Sequence, residues 1–170
     1  MGIIRFSIRD MQAADADAVA AWRYQPPYDF YDTAADPSSL VEVLDSRRWG
    51  HIFFSVFSSS PSSSPESGEV SGGEELAGFL ELTARPGDVI EIGLGLRPDL
   101  TGRGMGLSFV EACLDFARRR SQPQAFALDV ATFNQRARAV YEKAGFVPGD
   151  TFWRHLSGRR WEFLRMSRPA

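Results

Sequence analysis

The segment from Leu94 to Gly106, Leu-Gly-Leu-Arg-Pro-Asp-Leu-Thr-Gly-Arg-Gly-Met-Gly, runs straight into the apolar helical repeat Leu107 to Ala117. A strand, a glycine-spaced loop and a helix start therefore follow one another within about two dozen residues. Glycine at 102, 104 and 106 removes every second Cβ, so the backbone can curl around a ligand and aim consecutive N–H groups at it. The helix after the loop brings its unpaired first N–H groups and the positive end of its dipole to the same place. A phosphate-bearing ligand suits such a loop, although glycine clusters also mark ordinary tight turns.

The common nucleotide fingerprints do not fit. No Gly-x-x-x-x-Gly-Lys-Ser/Thr occurs, which excludes a P-loop. A dinucleotide turn needs Gly-x-Gly-x-x-Gly at the start of a βαβ unit, whereas these glycines alternate deep in the chain and lack an acidic ribose partner downstream.

A second segment, Leu128-Asp-Val-Ala-Thr-Phe-Asn134-Gln-Arg-Ala-Arg-Ala-Val-Tyr141-Glu-Lys-Ala-Gly145-Phe146, couples a strand to a helix carrying Asn-x-x-Ala-x-x-x-Tyr-x-Lys-x-Gly-Phe. Together the two segments resemble the GNAT superfamily of acyl-CoA-dependent N-acyltransferases. That family's signature is a strand ending in apolar-x-apolar-x-Pro, here Leu94 to Pro98, followed by Arg/Gln-x-x-Gly-x-Gly/Ala. One position departs from it, because Thr101 stands where the family usually has Arg or Gln.

Bulk properties set limits. A chain of 170 residues is the size of one domain, here read as 1–170, with a proper core. A net charge of −3 argues against general binding to nucleic acid or to an anionic membrane. The run Arg118 to Arg120 reads as the cationic end of the helix that starts near 107. No 18-residue apolar run, signal peptide or lipidation motif is present, which points to the cytoplasm. The lone Cys113 falls on the apolar repeat of that helix and reads as packing, not as a nucleophile. His51 and His155 have no spacing that suggests a triad or a metal site, so no metal is expected.

Along the chain, Ile3 to Arg9 alternates as an opening strand, and Asp10 could cap a turn or helix start. A helix is expected over Ala13 to Arg23, halted by Pro26-Pro27. Another is expected over Pro37 to Arg47, capped by Asp36, with Leu40, Val41 and Leu44 on one face. Strands are expected at 51–57 and 76–83, paired as a hairpin around a Ser/Pro/Gly-rich loop at 58–75 that reads as mobile. Strands at 89–96 and 126–130, a helix at 134–143 closed by Gly145, and a terminal hairpin at 152–156 and 161–166 complete the order. This order agrees with the fold the resemblance implies: an α/β (α+β) domain with a mixed, mostly antiparallel sheet of six to seven strands flanked by helices. Its two central strands, bearing 94–96 and 126–130, run parallel and splay apart.

The resemblance also implies acetyl-CoA as cofactor and direct ternary-complex transfer of its acetyl group to a primary amine of a small molecule, peptide or protein. Leu94, Gly95 and Leu96 would pair with the pantetheine amides, leaving an N–H near Leu96 for the thioester carbonyl. Thr101, Gly102, Arg103, Gly104, Met105, Gly106 and Leu107 would hold the pyrophosphate, with Arg103 adding charge or pointing to solvent. Asn134 would touch the donor, cap a helix, or do both. Tyr141 is the candidate general acid, or a core aromatic. An alkylammonium with a pKa of about 10.4 must lose a proton before it attacks, and Glu91 is the first choice of base, Glu81 the second. Trp22, Tyr28, Asp29, Tyr31 and Asp32 lie where the family builds its acceptor wall, and would suit a cationic amine or simply pack as a loop. The alternative is a CoA-binding or interaction module that has lost turnover, for which Thr101 is the one visible hint. Family members often form homodimers.

Overall fold

Hydrophobic alternation along most of the strands builds one sheet with two buried faces. The computed structural model describes residues 4–59 and 73–170. Among them the strands are β1 (Arg5–Asp10), β2 (Phe53–Ser59), β3 (Glu75–Arg85), β4 (Val89–Leu96), β5 (Ala125–Ala131), β6 (Val147–Leu156) and β7 (Arg159–Pro169). The helices are α1 (Ala13–Ala21), α2 (Pro37–Leu44), α3 (Gly106–Ser121) and α4 (Gln135–Lys143). The sheet order is β1-β2-β3-β4-β5-β7-β6. Every neighbour pair is antiparallel except β4 and β5, which run parallel.

One face of the sheet packs on α3 and α4 through Phe54, Leu80, Phe126, Leu128 and Met166, each at most 2% exposed. The opposite face packs on α1 and α2 through Met11, Ala16, Val19, Val43 and Phe53. Burying this apolar area is the main stabilising term. Cys113 is 0% exposed in the first cluster, and burial pushes its thiol pKa well up.

Several boundaries depart from the sequence reading. Asp10 ends β1 and its carboxyl lies against Gly50. The start of α1 is held by Asp15, which accepts from the Gln12 backbone N–H at 3.1 Å and from the buried Ser55 hydroxyl at 2.8 Å. Helix α2 is capped by Asp36 as expected, but it stops at Leu44 and buries Val43; Val41 and Leu44 are 69% and 42% exposed. The expected stripe was one position out, because Val43 is the residue that reaches the α1 cluster. Most of the Ser/Pro/Gly-rich loop expected at 58–75 lies outside the described residues, while Ser58, Ser59 and Glu75 belong to the flanking strands. The terminal hairpin is longer than expected and turns through Ser157 and Gly158, both at positive φ, as a two-residue turn requires.

Asp36 accepts from the hydroxyls of Ser38 and Ser39 and from the Ser39 N–H, in that order of influence, which hold its carboxyl below the ordinary 3.8. Its capping contribution is therefore present at neutral pH and is lost as acid protonates the carboxylate below about pH 4. Asp36→Ala should lower stability by about 1 kcal/mol at pH 7 and by much less at pH 3, as read from urea unfolding at the two pH values.

Candidate active site

The parallel ladder between β4 and β5 covers only Val89 to Glu91 against Ala125 to Ala127. Beyond it β4 continues paired to β3, and β5 continues paired to β7, so the two strands separate as the walls of a cleft. The cavity between them is about 620 Å³, within the range of small-molecule sites.

At the mouth, Gly102 and Gly104 take φ of +76° and +79°, the left-handed backbone that glycine adopts without strain. Nothing lies within 4 Å of the space a Cβ on Gly104 would fill. Gly106 opens α3 where a Cβ would stand 3.1 Å from Val140, so glycine there lets α3 and α4 approach. The first backbone bond of α3 runs from the Phe109 N–H to the Met105 carbonyl, and no side chain caps the helix start. Its leading N–H groups are thus available to an anion. Thr101, Gly102, Gly104, Gly106 and Leu107 line the cavity, whereas the exposed Arg103 and the buried Met105 do not. The Thr101 hydroxyl donates to the Pro98 carbonyl at 2.7 Å and closes the preceding turn.

The orientation of the β4 backbone is set by its ladder. Arg97 donates its N–H to the Ala77 carbonyl at 2.7 Å, so by alternation Leu94 and Leu96 direct their N–H and C=O groups away from β3, into the cleft. Gly95 faces the other way along the backbone, and the Phe79 ring packs directly over it. The Leu96 carbonyl already accepts from the Tyr24 hydroxyl at 2.9 Å. Leu96 sits beside the phosphate-loop end, so the N–H closer to the deep end of the cleft is that of Leu94.

Tyr141 lines the cavity from α4. Burial raises its pKa first, with Tyr31, Cys113 and Tyr24 nearby adding to the effect, so the phenol keeps its proton. Among the described residues no protein group hydrogen-bonds its hydroxyl. Asn134, 8% exposed, caps α4 by accepting from the Ala137 N–H at 3.1 Å and donates to the Tyr31 hydroxyl at 3.4 Å. Its carbonyl oxygen is committed to the helix, which leaves one N–H facing the cleft.

The two carboxylates proposed as base have unlike surroundings. Desolvation would raise Glu91, but hydrogen bonds from Arg85 at 3.1 Å and the charges of Arg85, Arg165 and Arg154 outweigh it and hold the carboxyl below its ordinary value. Glu91 lies off the cavity and belongs to a chain of ion pairs, Arg85, Glu91, Arg165, Asp129 and Arg154, that crosses the sheet. A carboxylate so neutralised is a poor proton acceptor, which weighs against Glu91 as the base. Glu81 is desolvated and stands near Glu42 and Glu91, which raise its pKa; Arg48 and a 3.5 Å contact from Thr83 only partly offset this. Its carboxylate oxygen lies 2.9 Å from where a Cβ on Gly93 would be, and Gly93 lines the cleft. Asp129, which the sequence reading passed over, also lines the cleft, with a side chain 5% exposed.

The segment Trp22 to Asp32 divides. Tyr28 and Tyr31 line the cleft. Trp22 packs beside Phe79 at 6.4 Å in the α1 and α2 cluster. Asp32 accepts from the Tyr24 N–H at 2.8 Å and pins the loop, and Asp29 is exposed away from the cavity. None of these three lines the cleft. Tyr24 is the residue the reading missed, and it shares a task with Tyr31: the Ala131 N–H at the end of β5 donates to the Tyr31 hydroxyl at 3.2 Å. The two phenols thus hold the open ends of both cleft walls. Among the described residues no cluster of three His, Cys, Asp or Glu could hold a metal ion, and His51 and His155 are exposed. No helix among them is long and apolar enough to cross a membrane.

A family model described as an acetyltransferase (GNAT) domain matches residues 5–147. The chain belongs to the GNAT acetyltransferase family, enzymes that carry an acetyl group from acetyl-CoA to an amine. The fold is shared with solved structures of low identity. One is the spermidine N-acetyltransferase from Vibrio cholerae in complex with CoA and spermine, at 17% identity and a TM-score of 0.71 over 96% of this chain and 95% of that one. Another is a spermidine/spermine N-acetyltransferase of the same organism in complex with manganese ions, at 18% identity and a TM-score of 0.67 over 97% and 92%. No curated protein matches the chain in sequence.

Tyr31→Phe should leave the buried Ala131 N–H without its acceptor. The expected cost is about 1–3 kcal/mol, with faster hydrogen exchange at that amide and little change at amides of β1 and β2.

Proposed function

We propose that this chain transfers acetyl directly from acetyl-CoA to a primary amine, both bound at once in the β4/β5 cleft. The observation that carries the reading is the early end of the parallel ladder, which frees the Leu94 edge opposite Tyr141 and below the glycine loop. Acetyl-CoA supplies an activated acetyl thioester when bound. The N–H groups of 102–107 would hold its phosphates, and the Leu94 edge together with the Leu96 N–H would take its amides in the manner of an added strand. The Leu94 N–H is the donor aimed at the acyl oxygen, a role worth about 10²–10³ in rate.

Glu81 is the base. Its raised pKa makes it a better proton acceptor than an ordinary carboxylate, and it stands beside Gly93 at the floor of the cleft. Tyr141 holds a proton at Oη and is the donor to the departing sulfur. The acceptor enters past Tyr28 and Tyr31. A solved neighbour binds spermine, so spermidine and spermine head the panel of alkylamines to try. The net charge of −3 favours small amines over nucleic acid or an anionic membrane as partners. One domain carries the whole site.

Thiol release from acetyl-CoA against that panel tests the reading. Tyr141→Phe should lower kcat by about 10²-fold, and Glu81→Gln should remove the acid limb of the kcat/KM pH profile, a limb displaced upward from 4.5 in the wild type. Because a raised carboxyl pKa costs folding stability at neutral pH, Glu81→Gln should be at least as stable as the wild type. Glu91→Gln should keep the acid limb but displace it downward, because one of the charges that raise Glu81 is then gone. Full activity in both Tyr141→Phe and Glu81→Gln would sink the residue assignments, and no thiol release with any amine would sink the activity.

A further inference from the structure

Arg136 stands in the first turn of α4, two residues after its Asn134 cap. That is an unfavourable place for a cation, since the positive end of the α4 dipole is there and the start of α3 lies nearby. Surface arginines usually relieve such a position with a carboxylate. Among the described residues none pairs with Arg136, although eleven ion pairs are formed elsewhere. Its guanidinium rests instead on the Tyr28 ring, 4.6 Å from the centroid. One terminal nitrogen lies 3.8 Å from the space a Cβ on Gly102 would occupy. Arg136 borders both the main cleft and an adjoining cavity of about 430 Å³ between the 23–28 segment and Pro98.

Lys143 also lines the main cleft, but from the last residue of α4, and the remaining nearby cations are placed differently. Arg97 is held by Asp99 at 2.6 Å, by Glu75 at 3.4 Å and by the Leu76 carbonyl at 2.8 Å. Arg23 donates to the carbonyls of Ala20 and Trp22. Arg103 lies on the loop but outside either cavity. Thr101, where the family motif usually has Arg or Gln, has folded its hydroxyl back on Pro98.

We propose that Arg136 is the cation that binds the phosphate groups of the acyl donor at the glycine loop, taking over across space the charge that position 101 lacks. The assignment rests on the acetyl-CoA reading above. Tyr28 acts as its seat, holding the guanidinium plane beside Gly102 before a ligand arrives. An incoming phosphate would relieve the unfavourable position of the charge at the helix start and gain charge-assisted hydrogen bonds.

The test compares CoA with pantetheine, which has the same arm without phosphates, by calorimetric titration of wild type, Arg136→Gln, Arg136→Lys and Arg103→Gln. The expected result is a loss of about 10- to 100-fold in CoA affinity for Arg136→Gln, partial recovery in Arg136→Lys, and unchanged binding of pantetheine by all four. Arg103→Gln should bind CoA within a few fold of the wild type. Arg136→Gln that binds CoA as tightly as wild type, or that loses CoA and pantetheine equally, overturns the assignment alone. Wild type that binds neither molecule overturns the acetyl-CoA reading, and the assignment with it.

Discussion

Three paired positions, Val89 to Glu91 against Ala125 to Ala127, hold the two halves of the sheet together. On one side of this seam β1 to β4 pair antiparallel, and on the other β5, β7 and β6 do the same. Were the ladder longer, β4 and β5 would satisfy one another to their ends and no backbone edge would be left for a ligand. Were it absent, the walls would have no fixed separation. Among the described residues its shortness leaves the Leu94 N–H without a protein partner yet fixed in direction, because β3 holds β4 along its other edge. Preorganised donors of this kind cost no rearrangement when charge develops near them.

The glycine loop, the α4 segment and the order of elements were legible in the sequence because each is a local pattern. Gly102, Gly104 and Gly106 announce a backbone that must curl, and Asn134 followed by Ala137 and Tyr141 announces a capped helix with one face inward. What was not legible depends on residues distant in sequence. Glu91 and Glu81 look alike in isolation; Arg85, across the β3 and β4 pairing, does most to neutralise Glu91, and Arg165, seventy-four positions beyond it and brought alongside by the β5 and β7 pairing, adds to the effect, while Glu81 is left desolvated. Asp32 reads as a free anion until the Tyr24 N–H is found bound to it. Arg136 reads as an ordinary solvated helix residue until Gly102 is seen beside it.

The loop from Tyr24 to Tyr31 has a mechanical part that composition hides. Its aromatic residues suggest a binding wall, yet two of its hydroxyls are spent on backbone groups at the open ends of β4 and β5. Unsatisfied edges at that point would expose polar groups beside an apolar cavity, which is costly. Phe30 completes the anchorage by stacking on Trp161 of β7, with centroids 4.4 Å apart. One short segment therefore ties the α1 and α2 side of the molecule to both walls of the cleft.

Cys113 is the only cysteine in the chain, and it is sealed between α3 and the sheet with its proton held firmly. A thiol that is neither ionised nor reachable does not react with disulfide or maleimide reagents while the fold persists. The folded protein is thus silent toward such dyes, and colour that develops in a reaction mixture reports the sulfhydryl set free in turnover. The same silence makes labelling of Cys113 a gauge of how often the interior opens.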